Sequence, residues 1–432
     1  MSTLALTGGR VLRPDLTVDR ADVLVDQETG EIGAIGPDLG DDADTVLDAT
    51  DALVTPGFVN GHCHVAMTLL RGYADDKPLD AWLSEDIWPA EAELTPEAIE
   101  AGAELGLLEM VRAGITGFAD MYFEMDRVAD AVDRAGVRAR LGHGVISVGK
   151  DHEDAREDAE TGLEFARAFD GAADGRVRTA FMPHSLTTVS EAIYEEFVPK
   201  ARDAGVPIHL HANETNDEVT PIVEEHGVRP LEYARELGLL EPGDFLAHGV
   251  HVDETEISLL AETGAGVIHC PASNMKLASG MAPVQALLDA GVTVGLGTDG
   301  AASNNDLSLL DEARDAAMIG KLAADDAAAV AAADVVEMAT AGSAEAIGLP
   351  AGRLETGAPA DLAVIDLSGP HLTPHHDLVS HLAYAAAASD VRHTVCDGRV
   401  LMRDRDVRTL DADRVRERAA AEAAALVERA ES

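Results

Sequence analysis

Apolar residues fall in short runs that alternate with longer stretches of helical periodicity. The runs GFVNGHCH, GITGFADM, RARLGHGV, RTAFMPHS, PIHLHANE, FLAHGV, GVIHCP and TVGLGTDG read as eight strands. Stretches such as PEAIEAGAELGLLEMVRAG and SEAIYEEFVPKARDAG lie between them and predict amphipathic helices. Strands alternating with helices predict parallel βα units, and eight such units predict a closed (β/α)8 TIM barrel. This α/β barrel is expected over residues 56–354. The ends have another texture. LALTGGRVL, ADVLVD, EIGAIG and TVLDA at one end, and ADLAVIDL and HTVCDGRVL at the other, are short strands separated by turn residues. They predict a small composite β-sandwich domain formed by both termini, from residues 1–55 and 355–410. Residues 411–432 predict a helix with a modest apolar face, suited to packing or oligomer contact.

Each predicted barrel strand ends on a polar or ionisable residue: His64, Asp120, His143, His184, His211, His248, His269 and Asp299. In such barrels the chemistry sits at the C-terminal ends of the strands. His62 and His64, two apart on the first strand, leave the same face and can share one metal ion. His209 and His211 also share a face. His211 lies nearer the strand end and Glu214 follows three residues on, which favours His211 as the ligand and Glu214 as its neighbour in acid–base work. Asp299 in GTDG supplies a fourth ligand and a proton acceptor, and His248 in AHGVH a polarising group. There is no HExxH, no PCxxC and no lysine in the fourth strand, so one divalent metal ion, zinc or iron, is the economical count.

Charge narrows the partners. Lys+Arg is 32 against Asp+Glu 79, a formal net charge of -47 spread along the chain. Nucleic acid and anionic membrane surfaces would be repelled, so neither is an expected partner. An evenly acidic, lysine-poor surface suits a medium of molar salt, where self-repulsion is screened over about 3 Å. Cys63, Cys270 and Cys396 are far apart, which argues against a disulfide scaffold; Cys63 reads as a small buried hydrophobe. With no secretory signal and no apolar membrane span, a soluble cytoplasmic protein is expected, assembled as a homo-oligomer.

The ordered motifs His-x-His, His-x-x-Glu, HGVH, HCPASNMKL and GTDGAASNN resemble the amidohydrolase superfamily over residues 5–405. Within it the chain resembles the 5'-methylthioadenosine/S-adenosylhomocysteine deaminases and their chlorohydrolase relatives. The resemblance implies one zinc or iron held by His62, His64, His211 and Asp299. It also implies hydrolytic deamination at C6 of a purine nucleoside, with Glu214 relaying a proton to the ring, Asp299 passing one to the leaving amine and His248 stabilising the developing oxyanion.

Substrate choice falls to the loops. Trp82 offers an apolar wall and Glu91 an acceptor for both ribose hydroxyls. In the adenosine-derivative deaminases, residues matching Trp82, Glu91, Arg156 and His184 contact the nucleoside, and Glu214 meets the base. The third strand carries His143 where homocysteine-processing members resemble arginine, which weakens binding of a substrate carboxylate. The expected substrates are 5'-methylthioadenosine, 5'-deoxyadenosine or adenosine, with S-adenosylhomocysteine retained. The alternatives are an aminohydrolase acting on guanine or a triazine, and an inactive scaffold.

Overall fold

The computed structural model describes residues 2–431. Its centre is the predicted parallel barrel. The first three strands are Phe58–His64, Ile115–Tyr122 and Arg138–Val145. The fourth is broken into Val177–Thr179 and Met182–Pro183, followed by His209–Ala212, Phe245–His248 and Gly266–His269. The eighth is also broken, and this is how the ring closes. Val294–Leu296 pairs in parallel with the seventh strand, while Asp299–Gly300 pairs with Cys63 and His64 of the first. Single bridges, Phe181 to Ile208 and Ser185 to His211, join the fourth strand to the fifth.

The first strand does not keep a strict two-residue alternation. Opposite the second strand its register shifts between Asn60 and Cys63. Two residues there face one, the mark of a β-bulge, which re-aims the side chains that follow it. His62 and Cys63 are fully buried, and His64 stands half-buried at the strand end. The interior is tight here: a Cβ on Gly297 would lie 2.8 Å from the His62 carbonyl oxygen.

Both termini build the second domain. One sheet runs Glu31–Gly36, Asp22–Asp26, Thr3–Thr7, Thr45–Asp48. The other runs Asp406–Val407, Arg399–Arg403, Val391–Cys396, Leu362–Asp366, Ala52–Pro56, Arg10–Leu12, Val18–Arg20. Leu4, Leu6, Val23 and Val25 from the first sheet pack with Val54, Leu362, Val364 and Val395 from the second. The helix Ala412–Ala430 lies on the barrel helix Pro96–Arg112, where Arg418 pairs with Glu100 at 2.8 Å and Glu104 at 3.3 Å. All three cysteines are free and buried. Among the described residues no helix is long and apolar enough to cross a membrane.

Candidate metal centre and active site

Five of the eight strand-end residues converge. His64, His184, His211, His248 and Asp299 line one pocket at the C-terminal mouth, with His62 buried directly beneath. His64 Nε2 lies 3.2 Å and His62 Nε2 3.5 Å from Asp299 Oδ1, and His211 Nε2 is 3.4 Å from His64 Nε2. Asp120, His143 and His269 do not line this pocket. Asp120 turns back to accept the Val65 amide at 2.9 Å.

The ring protons can be assigned from partners that only accept. A carbonyl oxygen accepts, so His64 Nδ1 donates to Met121 O at 2.6 Å and His211 Nδ1 donates to His184 O at 2.7 Å. Both therefore leave Nε2 free for the cluster, His64 Nε2 facing Asp299 Oδ1 and His211 Nε2 facing His64 Nε2. His62 does the same, with no hydrogen bond at Nε2. Burial lowers the pKa of His62 to about 4 and pushes His211 well below the ordinary range, so both rings are neutral. Burial opposes a charge on His64 too, but the Asp299 carboxylate overrides it and raises its pKa to about 9. A proton and a cation compete for that nitrogen.

Two short segments hold the remaining groups. Asp299 Oδ2 accepts hydroxyls from Ser273 and Ser303, each at 2.7 Å, which leaves Oδ1 for the histidines. Burial works against the Asp299 charge, but the His62 and His64 rings beside Oδ1 hold its pKa well below the usual carboxylate value. The Asn274 amide nitrogen donates to His248 Nδ1 at 3.0 Å, so the His248 proton sits on Nε2, 3.6 Å from Glu214 Oε2. His248 and Asp299 have φ of 76° and 59°, a left-handed conformation that non-glycine residues avoid and that is concentrated at functional sites. Glu214 Oε1 accepts the Ser279 hydroxyl at 3.2 Å. Burial raises the Glu214 pKa to about 8, and nearby Asp299 adds to it.

The pocket wall includes Trp82, whose Nε1 donates to Ala74 O at 3.1 Å and leaves the ring against the cavity. Glu91 and His184 also line it. Two predicted contacts are corrected. Arg156 lies on the helix His152–Phe169 and forms an exposed pair with Glu196 at 2.8 Å. His143 Nε2 pairs with Asp158 at 2.8 Å, outside the pocket lining. In each case a neighbouring carboxylate captures the side chain. Sequence reasoning assigns no chemistry to Ser273, Asn274, Ser303 or Tyr122, and weighs His209 only as an alternative ligand to His211. The first three lie in HCPASNMKL and GTDGAASNN; small polar residues just past a strand end were the available signal.

Three imidazoles, two of them neutral, gather with a buried carboxylate into one donor cluster that a cation would satisfy. The donor set suits a divalent ion of zinc type, which takes N and O ligands and keeps an open position when catalytic. Fold and centre together define the class of metal-dependent barrel hydrolases. More particularly, the chain belongs to the amidohydrolase family, whose model matches residues 53–401. A 5-methylthioadenosine/S-adenosylhomocysteine deaminase of Natronomonas pharaonis is 69% identical over 431 residues, covering 100% of each chain. A 5'-deoxyadenosine deaminase of Methanosarcina mazei is 45% identical, with 94% of each chain covered. The crystal structure of an adenosine deaminase from Xanthomonas campestris with bound zinc superposes with a TM-score of 0.91 at 35% identity, covering 100% of this chain and 99% of that one.

Proposed function

We propose that this chain is a zinc-dependent hydrolytic deaminase of 5'-substituted adenosines that converts the 6-amino group to an oxo group and releases ammonia. His62, His64, His211 and Asp299 would hold the ion. The chemistry it supplies when bound is acidified water, so that hydroxide is available near neutral pH. Glu214, kept protonated by burial, delivers its proton to the ring nitrogen beside C6, makes that carbon electron-poor as the water oxygen adds, and is re-protonated by the first proton the water gives up. The His248 Nε2–H, fixed by Asn274, donates to the oxygen that gains negative charge. Asp299 takes the remaining proton and returns it to the amine, which leaves as ammonia.

The observation that carries the substrate reading is the character of the pocket. Trp82 presents an apolar wall and Glu91 a half-buried carboxylate that we assign to the ribose diol, and no lysine or arginine is found among the described lining residues. Asp80 and Asp217 add further carboxylates to the lining. A carboxylate on the substrate tail would meet like charges, whereas a methylthio, methyl or hydroxyl group would not. We therefore place 5'-methylthioadenosine, 5'-deoxyadenosine and adenosine ahead of S-adenosylhomocysteine. The test is ammonia release from these four and guanine, measured in concentrated potassium chloride. Fastest turnover per unit KM is expected for a neutral 5'-substituted adenosine. Preference for guanine, or equal use of S-adenosylhomocysteine, would overturn the assignment.

A further inference from the structure

His62, His64 and His211 differ in what holds their outer nitrogens. His64 and His211 each donate to a main-chain carbonyl, which no substitution can remove. His62 donates to a side chain instead: its Nδ1 is 3.0 Å from His209 Nε2. His209 in turn sits with Nδ1 3.0 Å from the Phe245 carbonyl, and its ring stacks on the Phe245 ring with centroids 4.1 Å apart and planes 13° from parallel. His62 and His209 are both 0% exposed, so bulk water has no access to replace either partner.

The proton order follows from the end of this chain of contacts. The Phe245 carbonyl only accepts, so the His209 proton sits on Nδ1. A neutral imidazole has one proton, which leaves His209 Nε2 as an acceptor. Only a proton on His62 Nδ1 satisfies it, and His62 Nε2 then carries a lone pair facing Asp299 Oδ1. We infer that His209 is a positioning residue, locking His62 in the one tautomer and ring orientation that can ligate a metal ion and thereby setting the metal affinity of the centre. Without it, His62 would be free to move its proton to Nε2 and turn a donor toward the ion. The inference rests on the metal-hydrolase reading of the site and is independent of which substrate is used.

The experiment is a zinc-affinity measurement on the full chain by competition with a chromogenic chelator at one pH and high potassium chloride. His209→Gln keeps an acceptor for His62 and a donor for Phe245, so it should bind zinc within about threefold of wild type. His209→Met fills similar space with neither group and should bind 10–100-fold more weakly, the usual cost of losing a partner behind a ligating histidine. If His209→Met does not fold, His209→Asn serves, since it is too short to reach both partners and should show the same loss. Thermal unfolding of the metal-free proteins separates the effect from a general packing defect. Wild-type zinc affinity in the Met or Asn variant, or equal losses in the Gln and Met variants, would overturn the inference. A wild-type protein that binds no zinc would instead overturn the site reading on which it stands.

Discussion

Replacing Tyr122 with phenylalanine tests the electrostatics assigned to the substrate pocket. The Tyr122 hydroxyl donates to Glu91 Oε1 at 2.6 Å, and the tyrosine is buried. Burial raises the Glu91 pKa to about 7, while the phenol pulls it down. A hydrogen bond to a charged group contributes about 1.5–3 kcal/mol. Its loss should therefore raise the Glu91 pKa by about one to two units, at 1.36 kcal/mol per unit. A ribose diol donates hydrogen bonds and needs the carboxylate form. In the wild type, kcat/KM for 5'-deoxyadenosine should fall as the pH drops through about 7, where Glu91 takes up its proton. In Y122F this acid limb should move to about pH 8–9. At pH 7.5 the ionised fraction, and with it kcat/KM, should then drop about threefold to 25-fold. The sign for stability is opposite: the folded chain keeps a proton that the unfolded chain has released, so this group's contribution is present at low pH and lost as pH rises through about 7. The assay is a pH–rate profile with coupled ammonia detection, and Glu91→Gln, which cannot ionise, should erase the limb. An acid limb that stays in place in Y122F, or persists unchanged in E91Q, would refute the reasoning.

Four further outcomes are expected. Glu214→Gln should retain zinc, measured by metal analysis, and lose about 10²–10⁴ in kcat, the usual worth of a positioned acid–base group; near-normal turnover would remove Glu214 from its role. Ser273→Ala deletes one of two hydroxyls on Asp299 Oδ2 and should weaken zinc binding by about 10- to 150-fold in a chelator competition, from a bond worth about 1.5–3 kcal/mol. Arg156→Ala should leave KM for every nucleoside within about twofold, because its exposed partner is Glu196; a large rise in KM would restore it to the pocket. Lowering potassium chloride from 1 M to 0.1 M lengthens screening from about 3 Å to about 10 Å, and with a net charge of -47 the melting temperature should fall; an unchanged Tm would remove the salt-adaptation reading.

Much of this protein was legible along the chain. The eight barrel strands, the strand-flavoured termini and the convergence of His62, His64, His211 and Asp299 follow from periodicity and from where each polar residue sits at a strand end. Strand ends are legible because a closed parallel barrel brings all its C-terminal ends to one face. Glu91, Trp82 and His184 reach the pocket as expected. Periodicity failed where a side chain's direction depends on local backbone or on a distant partner. It placed Asp120 and His143 at the mouth with the others, but the Val65 amide and the Asp158 carboxylate turn them away. Arg156 is captured by Glu196 from a neighbouring helix, a contact 40 residues away in sequence.

What the sequence determined by itself is therefore the candidate ligand set and the architecture that gathers it, since residue type and strand position fix both. Only the tertiary structure decided which atom of each ligand faces inward. The Met121 and His184 carbonyls, and His209 behind His62, choose the exposed nitrogens. Ser273, Ser303 and Asn274 likewise choose the working atoms of Asp299 and His248. The physical reason is that hydrogen-bond direction and ring tautomer are set by partners packed from elsewhere in the barrel, and no local pattern along the chain encodes them.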